Sequence, residues 1–202
     1  DFFSKNYVTN NMRLLFNKTF ARFSGRSDGS GLIVLKQAMG GGKTHNMIAL
    51  GLLAQYPSIR KQILGADFPY LYEGEIEVVG FTGRNSPELP WIEIARRLNR
   101  LNLFRQSVRE GYEAPSDKEW RELLSGKPLL LLLDELPPYF EYAETVPKGD
   151  SNKAVFVSTG LANLFNAINS PDMSRVVIVL SDLEAQYEKG SEYVINKTAL
   201  SL

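Results

Sequence analysis

Apolar residues fall at Met12, Leu15, Phe16, Phe20 and Phe23, steps of three and four that predict a helix, with Thr9, Asn10 and Asn11 as a polar cap in front. Gly25 to Gly31 (GRSDGSG) breaks the pattern. Gly31 to Lys36 then reads as a buried strand. Thr44 to Tyr56 returns to helical spacing, which Pro57 is expected to stop. Ile76 to Thr82 (IEVVGFT) reads as a second strand, and Pro90 to Leu103 as a helix with Trp91, Ile94, Ala95 and Leu98 on one side. After a turn-rich break at Glu113 to Ser116, Asp117 to Leu124 reads as a short helix ended by Ser125-Gly126. Pro128 to Asp134 is apolar on both faces, as a central parallel strand should be. Glu141 to Asp150 is polar, carries Pro147 and Gly149, and reads as a mobile loop. Val155 to Ile168 reads as a helix and Arg175 to Ser181 (RVVIVLS) as a fourth strand, while Asp182 to Leu202 shows no clear element. Strands alternating with helices imply parallel βαβ units and an α/β sandwich.

The first chemistry sits between the first strand and its helix, in QAMGGGKTHN at 37 to 46. A phosphate-binding loop reads G-x-x-x-x-G-K-[ST] at such a junction. Gly42-Lys43-Thr44 fills its second half, but Gln37 stands where the first glycine belongs. Gly40, Gly41 and Gly42 let backbone N–H groups approach phosphate oxygens with no Cβ in the way, and the helix start adds its positive end. Lys43 is expected at the β- and γ-phosphates and the Thr44 hydroxyl at Mg²⁺. The missing glycine serves the turn out of the strand more than a phosphate contact, so the loop is expected to tolerate Gln37. A glycine-rich turn that binds nothing is the plain alternative.

LLLLLDE, residues 129 to 135, supplies the second motif. An Asp after a buried strand, downstream of a phosphate loop, is where a nucleoside triphosphatase holds Mg²⁺. That role falls to Asp134, and Glu135 is placed to orient or deprotonate an attacking water. Two charges on a strand meeting solvent are the bland reading. The pair favours hydrolysis over phosphoryl transfer. It also favours the additional-strand class of ATPases, in which one strand lies between the loop strand and the acidic strand. The expected fold is a P-loop nucleoside triphosphatase, a three-layer αβα sandwich around a mainly parallel sheet, with ATP and Mg²⁺ as cofactors over residues 1–202.

At the end of the fourth strand, Ser181 is the candidate for touching the γ-phosphate or the water, with Asp182 second; a solvent-facing strand end weighs equally. Arg96, Arg97, Arg100, Arg105 and Arg109 cluster on one helical region. They read as a solvated face, or more sharply as a contact with DNA or another subunit. His45 is the lone histidine and reads as a helix-packing or loop contact rather than a catalyst.

Composition changes this picture little. The 23 basic and 23 acidic residues give a net charge near zero, which neither points to nucleic acid nor excludes it. The absence of cysteine removes disulfides and thiolate chemistry and fits a reducing cytoplasm. Apolar runs such as Leu129 to Leu133 are far too short to span a bilayer, so no membrane partner is expected. The chain opens on Asp1 and reads as a piece of a larger protein.

With both motifs in view, the chain resembles one family. FFSKNYVTNNMRLLF (2 to 16), QAMGGGKTHNMIALGLLA (37 to 54), WIEIARRL (91 to 98) and KPLLLLLDELPPYFE (127 to 141) are similar to the AAA+-superfamily ATPases of bacterial and archaeal defence islands. The resemblance implies a cytoplasmic ATPase core working as a homo-oligomer or in a multi-protein defence complex, with DNA among its possible contacts and anti-phage defence as its setting. It also implies that Gln37 is ordinary, and that residues ahead of the first helix, Tyr7, Val8 and Thr9, meet the adenine, with His45 near the nucleotide. Two other readings stand beside it. One is a nucleotide-gated scaffold with little hydrolysis, and the other is a DNA translocase or helicase.

Overall fold

The computed structural model describes residues 2–25, 31–37, 42–65, 67–84 and 87–183. Four strands form one parallel sheet: β1 (Leu32–Gln37), β2 (Glu77–Thr82), β3 (Leu129–Asp134) and β6 (Val176–Leu183). Their spatial order is β1-β6-β3-β2, so β6 lies between β1 and β3. The helices are α1 (Asn10–Phe23), α2 (Lys43–Gln55), α3 (Pro57–Leu64), α4 (Pro90–Arg97), α5 (Gln106–Arg109), α6 (Asp117–Leu124), α7 (Leu136–Glu144) and α8 (Lys153–Ala167).

Helices cover both faces of the sheet, and the two cores divide by strand parity. Leu130, Val177 and Val179 bury their side chains with Phe16 and Phe20 of α1 and Leu50 and Leu53 of α2. Leu129, Leu131, Leu133, Ile178 and Leu180 bury theirs with Trp91 of α4, Trp120 of α6, Tyr139 of α7 and Leu161 of α8. Each such side chain contributes about 1.5–3 kcal/mol on leaving water. This two-sided burial is why β3 reads as an unbroken leucine run.

Local signals account for several boundaries. The Thr9 hydroxyl accepts the Met12 N–H at 3.3 Å and starts α1. Ser116 and Glu119 form a reciprocal capping box at the start of α6. Burial alone would raise the Glu119 carboxyl; the Arg105 guanidinium and the Ser116 N–H and hydroxyl outweigh it and hold it down to about 2.

Other expectations change. Helix α2 stops at Gln55, just ahead of Pro57 as expected, but Pro57 then opens a further helix, α3, at a first-turn position, where a missing N–H costs nothing. The helix from Pro90 stops at Arg97, because Asn99 takes a left-handed backbone with φ 55° and a short 3₁₀ turn, Leu101–Leu103, follows. The stretch that reads as a mobile loop is structured. Helix α7 runs to Glu144, and the short strands β4 (Pro147–Lys148) and β5 (Ser151–Asn152) pair antiparallel before α8. The tail beyond Leu183 lies outside the described residues. Among the described residues, no helix is long and apolar enough to cross a membrane.

Candidate functional site

Strand parity decides what gathers at the carboxyl ends of the sheet. Asp134 lies two residues beyond Leu132 and so faces the α2 side, as does Ser181 two beyond Val179 and Thr82 four beyond Val78. The register sets Thr82 beside Asp134 and places Asp134 and Ser181 one step past the Leu133–Leu180 pair. Three polar residues therefore end three adjacent strands on the face where α2 begins.

The Asp134 carboxylate joins these elements. Its Oδ2 accepts the Thr44 hydroxyl at 2.8 Å. Its Oδ1 accepts the Ser181 hydroxyl and, at 3.0 Å, the Glu135 N–H. Thr44 sits in the first turn of α2, whose cap is Gly42 with φ 78°, a left-handed conformation that glycine adopts freely. Lys43 is the first residue of that helix and is half-buried. The helix start leaves N–H groups without intrahelical partners, the usual setting for an anion.

Glu135 leaves the strand in a left-handed conformation, φ 55° and ψ 40°, and caps α7. Its carboxylate accepts Arg84 Nε at 2.9 Å on both oxygens, with Arg84 Nη2 at 2.8 Å from Oε1. The Thr82 hydroxyl lies 3.4 Å from Oε2. Between Thr82 and Arg84, the Gly83 N–H donates to the Asp134 carbonyl at 2.9 Å. A Cβ on Gly83 would come within 2.3 Å of the Glu135 carbonyl oxygen, so only glycine fits this close approach.

Thr44, Asp134, Glu135 and Ser181 thus come together, with Lys43 beside Thr44 in sequence. Gly40 and Gly41 lie outside the described residues. His45 packs against Phe2, ring centroids 4.7 Å apart, consistent with a packing contact. Tyr7 is 85% exposed and Val8 packs on the core shared by α1 and α2, so Phe2 is the aromatic residue that meets the first turn of α2. Thr82 and Arg84 escaped the sequence reading: nothing in GRNSPEL marks an arginine destined for Glu135, because the two meet only through strand register.

Four of the five clustered arginines are engaged in ion pairs. Arg96 pairs with Glu88, Arg97 with Glu93 at 2.7 Å, Arg100 with Glu77 at 3.0 Å, and Arg105 with both Glu113 and Glu119 at 2.8 Å.

Among the described residues, no three or more His, Cys, Asp or Glu side chains form a metal-ligand group. Thr44 and Asp134 instead offer one hydroxyl and one carboxylate, already aimed at each other. That donor set fits Mg²⁺, which keeps several waters and shares its sphere with substrate phosphates. The sequence matches no protein-family model and no curated protein.

Proposed function

We propose that this chain is the core of an AAA+-like P-loop ATPase that binds ATP with Mg²⁺ and hydrolyses it. The observation that carries the reading is the Asp134 carboxylate, which accepts both the Thr44 hydroxyl and the Ser181 hydroxyl. A phosphate-loop threonine, an acidic strand end and the inserted strand thereby converge on one group. The strand order supports it further, since β6 separates β1 from β3 as the additional-strand class requires.

In this reading Lys43 and the α2 start bind the phosphates. Thr44 and Asp134 hold the metal, which when bound offsets the charge developing on the terminal phosphate. Ser181 fixes the Asp134 carboxylate through its hydroxyl. Glu135 accepts a proton from the attacking water at its carboxylate, once it parts from Arg84. That step is cheap: the Arg84 and Glu135 side chains are 65% and 30% exposed, and such pairs contribute about 1 kcal/mol or less. Glu135→Gln is expected to lower turnover by about 100-fold or more while ATP stays bound. Wild-type turnover in that variant would sink the assignment.

A nucleotide-gated scaffold has one observation in its favour, the two-pronged Arg84 grip on Glu135. It predicts tight ATP binding with no hydrolysis above that of Glu135→Gln. The motif likeness to defence-island ATPases is what supports an assembly with further proteins. ATP and GTP hydrolysis, each measured with and without DNA, separates that setting from a helicase or translocase.

A further inference from the structure

Strand β2 is one edge of the sheet, bonded to β3 alone. The Glu77 N–H donates to the Pro128 carbonyl and the Gly83 N–H to the Asp134 carbonyl. Alternate residues of a strand present both main-chain groups to the same neighbour, so Val79 and Phe81 also turn toward β3. Val78, Gly80 and Thr82 turn theirs outward. Among the described residues, no hydrogen bond reaches those outward main-chain groups. Proteins blunt such edges with lysine, proline or a bulge. The sequence of β2, EVVGFT, has neither residue, and its register with β3 is unbroken. The opposite edge strand, β1, carries Lys36. Gly80 is unusual too, because glycine inside a strand costs about 0.5–1 kcal/mol relative to alanine. Nothing within this chain calls for it: a Cβ there would have no atom within 4 Å, and its φ is not positive. With no bulge to explain it, such a glycine marks a place where another backbone comes close. The flanks supply a direction. Glu73 and Glu75 are exposed ahead of β2, and Arg84 is exposed behind it. Two copies laid parallel would set like charges together, whereas laid antiparallel each acidic end meets the other copy's Arg84.

We propose that β2 is a self-association edge: a second copy of this chain adds its own β2 antiparallel, with Gly80 on the two-fold axis. The outward groups are symmetric about Gly80, so one edge complements another. Val78 then faces Thr82 of the second copy, Gly80 faces its counterpart, and Thr82 faces Val78, each pair exchanging both main-chain hydrogen bonds. Ile76 stands opposite Arg84 of the second copy, which brings the acidic segment from Glu73 to Glu75 up to that guanidinium. The same patch serves both copies, so association closes at the dimer. The pairing uses the main chain of Thr82 and leaves its hydroxyl on Glu135. Nothing in it depends on bound nucleotide. One strand pair falls short of the ~1,200 Å² typical of lasting interfaces, so a weak dimer is expected, with Kd on the order of 10–100 µM.

Sedimentation equilibrium of the full chain without nucleotide, across roughly 5–300 µM, tests this. The wild type is expected to pass from monomer to dimer over that range, and a monomer throughout overturns the proposal. The open space at the Gly80 Cβ position leaves room for a side chain within the monomer. Gly80→Lys sets two ammonium groups against each other on the axis and is expected to weaken dimerisation about fivefold or more. Gly80→Glu alone should do the same. An equimolar mixture of the two variants should associate within about threefold of the wild type, because an ammonium then faces a carboxylate. Association that neither variant weakens overturns the proposal, as does a mixture that associates no more tightly than either variant alone. Thermal melts show whether the two variants fold. If they do not, Glu75→Lys, at an exposed position ahead of the strand, carries the test. It is expected to weaken dimerisation about threefold or more, and unchanged association there overturns the antiparallel pairing.

Discussion

The two ends of the central sheet treat polar groups in opposite ways. At the amino ends, arginines are absorbed by backbone. Arg22 donates to the carbonyls of Val176 at 2.8 Å, Met173 at 2.9 Å and Ile168 at 3.1 Å. Arg100 reaches the carbonyls of Leu123 and Ser125 and the Glu77 carboxylate. Arg60, fully buried, donates to the Gly74 carbonyl at 2.8 Å with the rings of Phe20 and Tyr72 beside it. At the carboxyl ends the polar groups bond mainly to one another: Thr44 and Ser181 to Asp134, Arg84 and Thr82 to Glu135. Arg22 and Arg100 spend their donors on carbonyls and a carboxylate of the fold itself. The exposed Thr44, Thr82 and Arg84 side chains, unlike the buried Ser181, can exchange those bonds for bonds to water at little cost. One end completes the fold, and the other keeps its hydrogen-bonding capacity in reserve.

The contrast breaks most visibly at Lys43. Lys43→Ala is expected to weaken ATP binding by about 100-fold or more, yet to leave unfolding stability within about 0.5 kcal/mol. Calorimetric titration with ATP and a denaturant melt read the two quantities. A large stability loss would mean that the carboxyl end is structural after all. Arg22→Ala should do the reverse. It strips charged donors from three carbonyls and is expected to cost about 2–4 kcal/mol, with ATP affinity per folded molecule unchanged. Arg60 sharpens the amino-end half. Its Nε and Nη1 find no hydrogen-bond partner among the described residues, and burial lowers its pKa. Arg60→Met keeps the packing volume and removes an incompletely satisfied charge, so stability should stay within about 1 kcal/mol of wild type or rise. A loss of several kcal/mol would show that the two flanking rings compensate the charge fully.

How much of this was legible in the sequence follows from the range of each signal. Thr9 with the steps from Met12 to Phe23, the leucine run into Asp134, and Ser116 with Glu119 are local, and they mark α1, β3 and α6. Helix α3 was hidden by proline: Pro57 reads as the stop of α2, although it also stands in the first turn of α3, where no intrahelical N–H is needed. The acidic pair led to the expectation of one strand between β1 and β3, where β6 lies, but the complete strand order was not legible, because pairing is not written in any one segment. For the same reason Lys43, Thr44, Asp134 and Glu135 could be picked out by motif, whereas Arg84 could not. Arg84 meets Glu135 only once Thr82 is set beside Asp134.

Glu135 gives the comparison its finest edge, because at that residue the cost of keeping a group available shows in the backbone. Two non-glycine residues among those described have positive φ, Asn99 and Glu135, both at 55°. For a residue with a long side chain this conformation costs about 1–2 kcal/mol, and for Asn less. Glu135→Gly removes the steric cost, raises the entropy of the unfolded chain, and gives up the exposed Arg84 pair. The net is expected between no change and a gain of about 1 kcal/mol, with hydrolysis lost. Asn99→Gly, away from the site, should gain less and leave hydrolysis intact. Thermal melts of the two variants beside their ATP turnover test this directly. A gain at 135 that exceeds the gain at 99 means that the carboxyl end gives up stability to hold Glu135 where it is. A loss beyond about 1 kcal/mol at 135 would mean that the Arg84 pair contributes more than its exposure allows, and that this end of the sheet is built for stability as well.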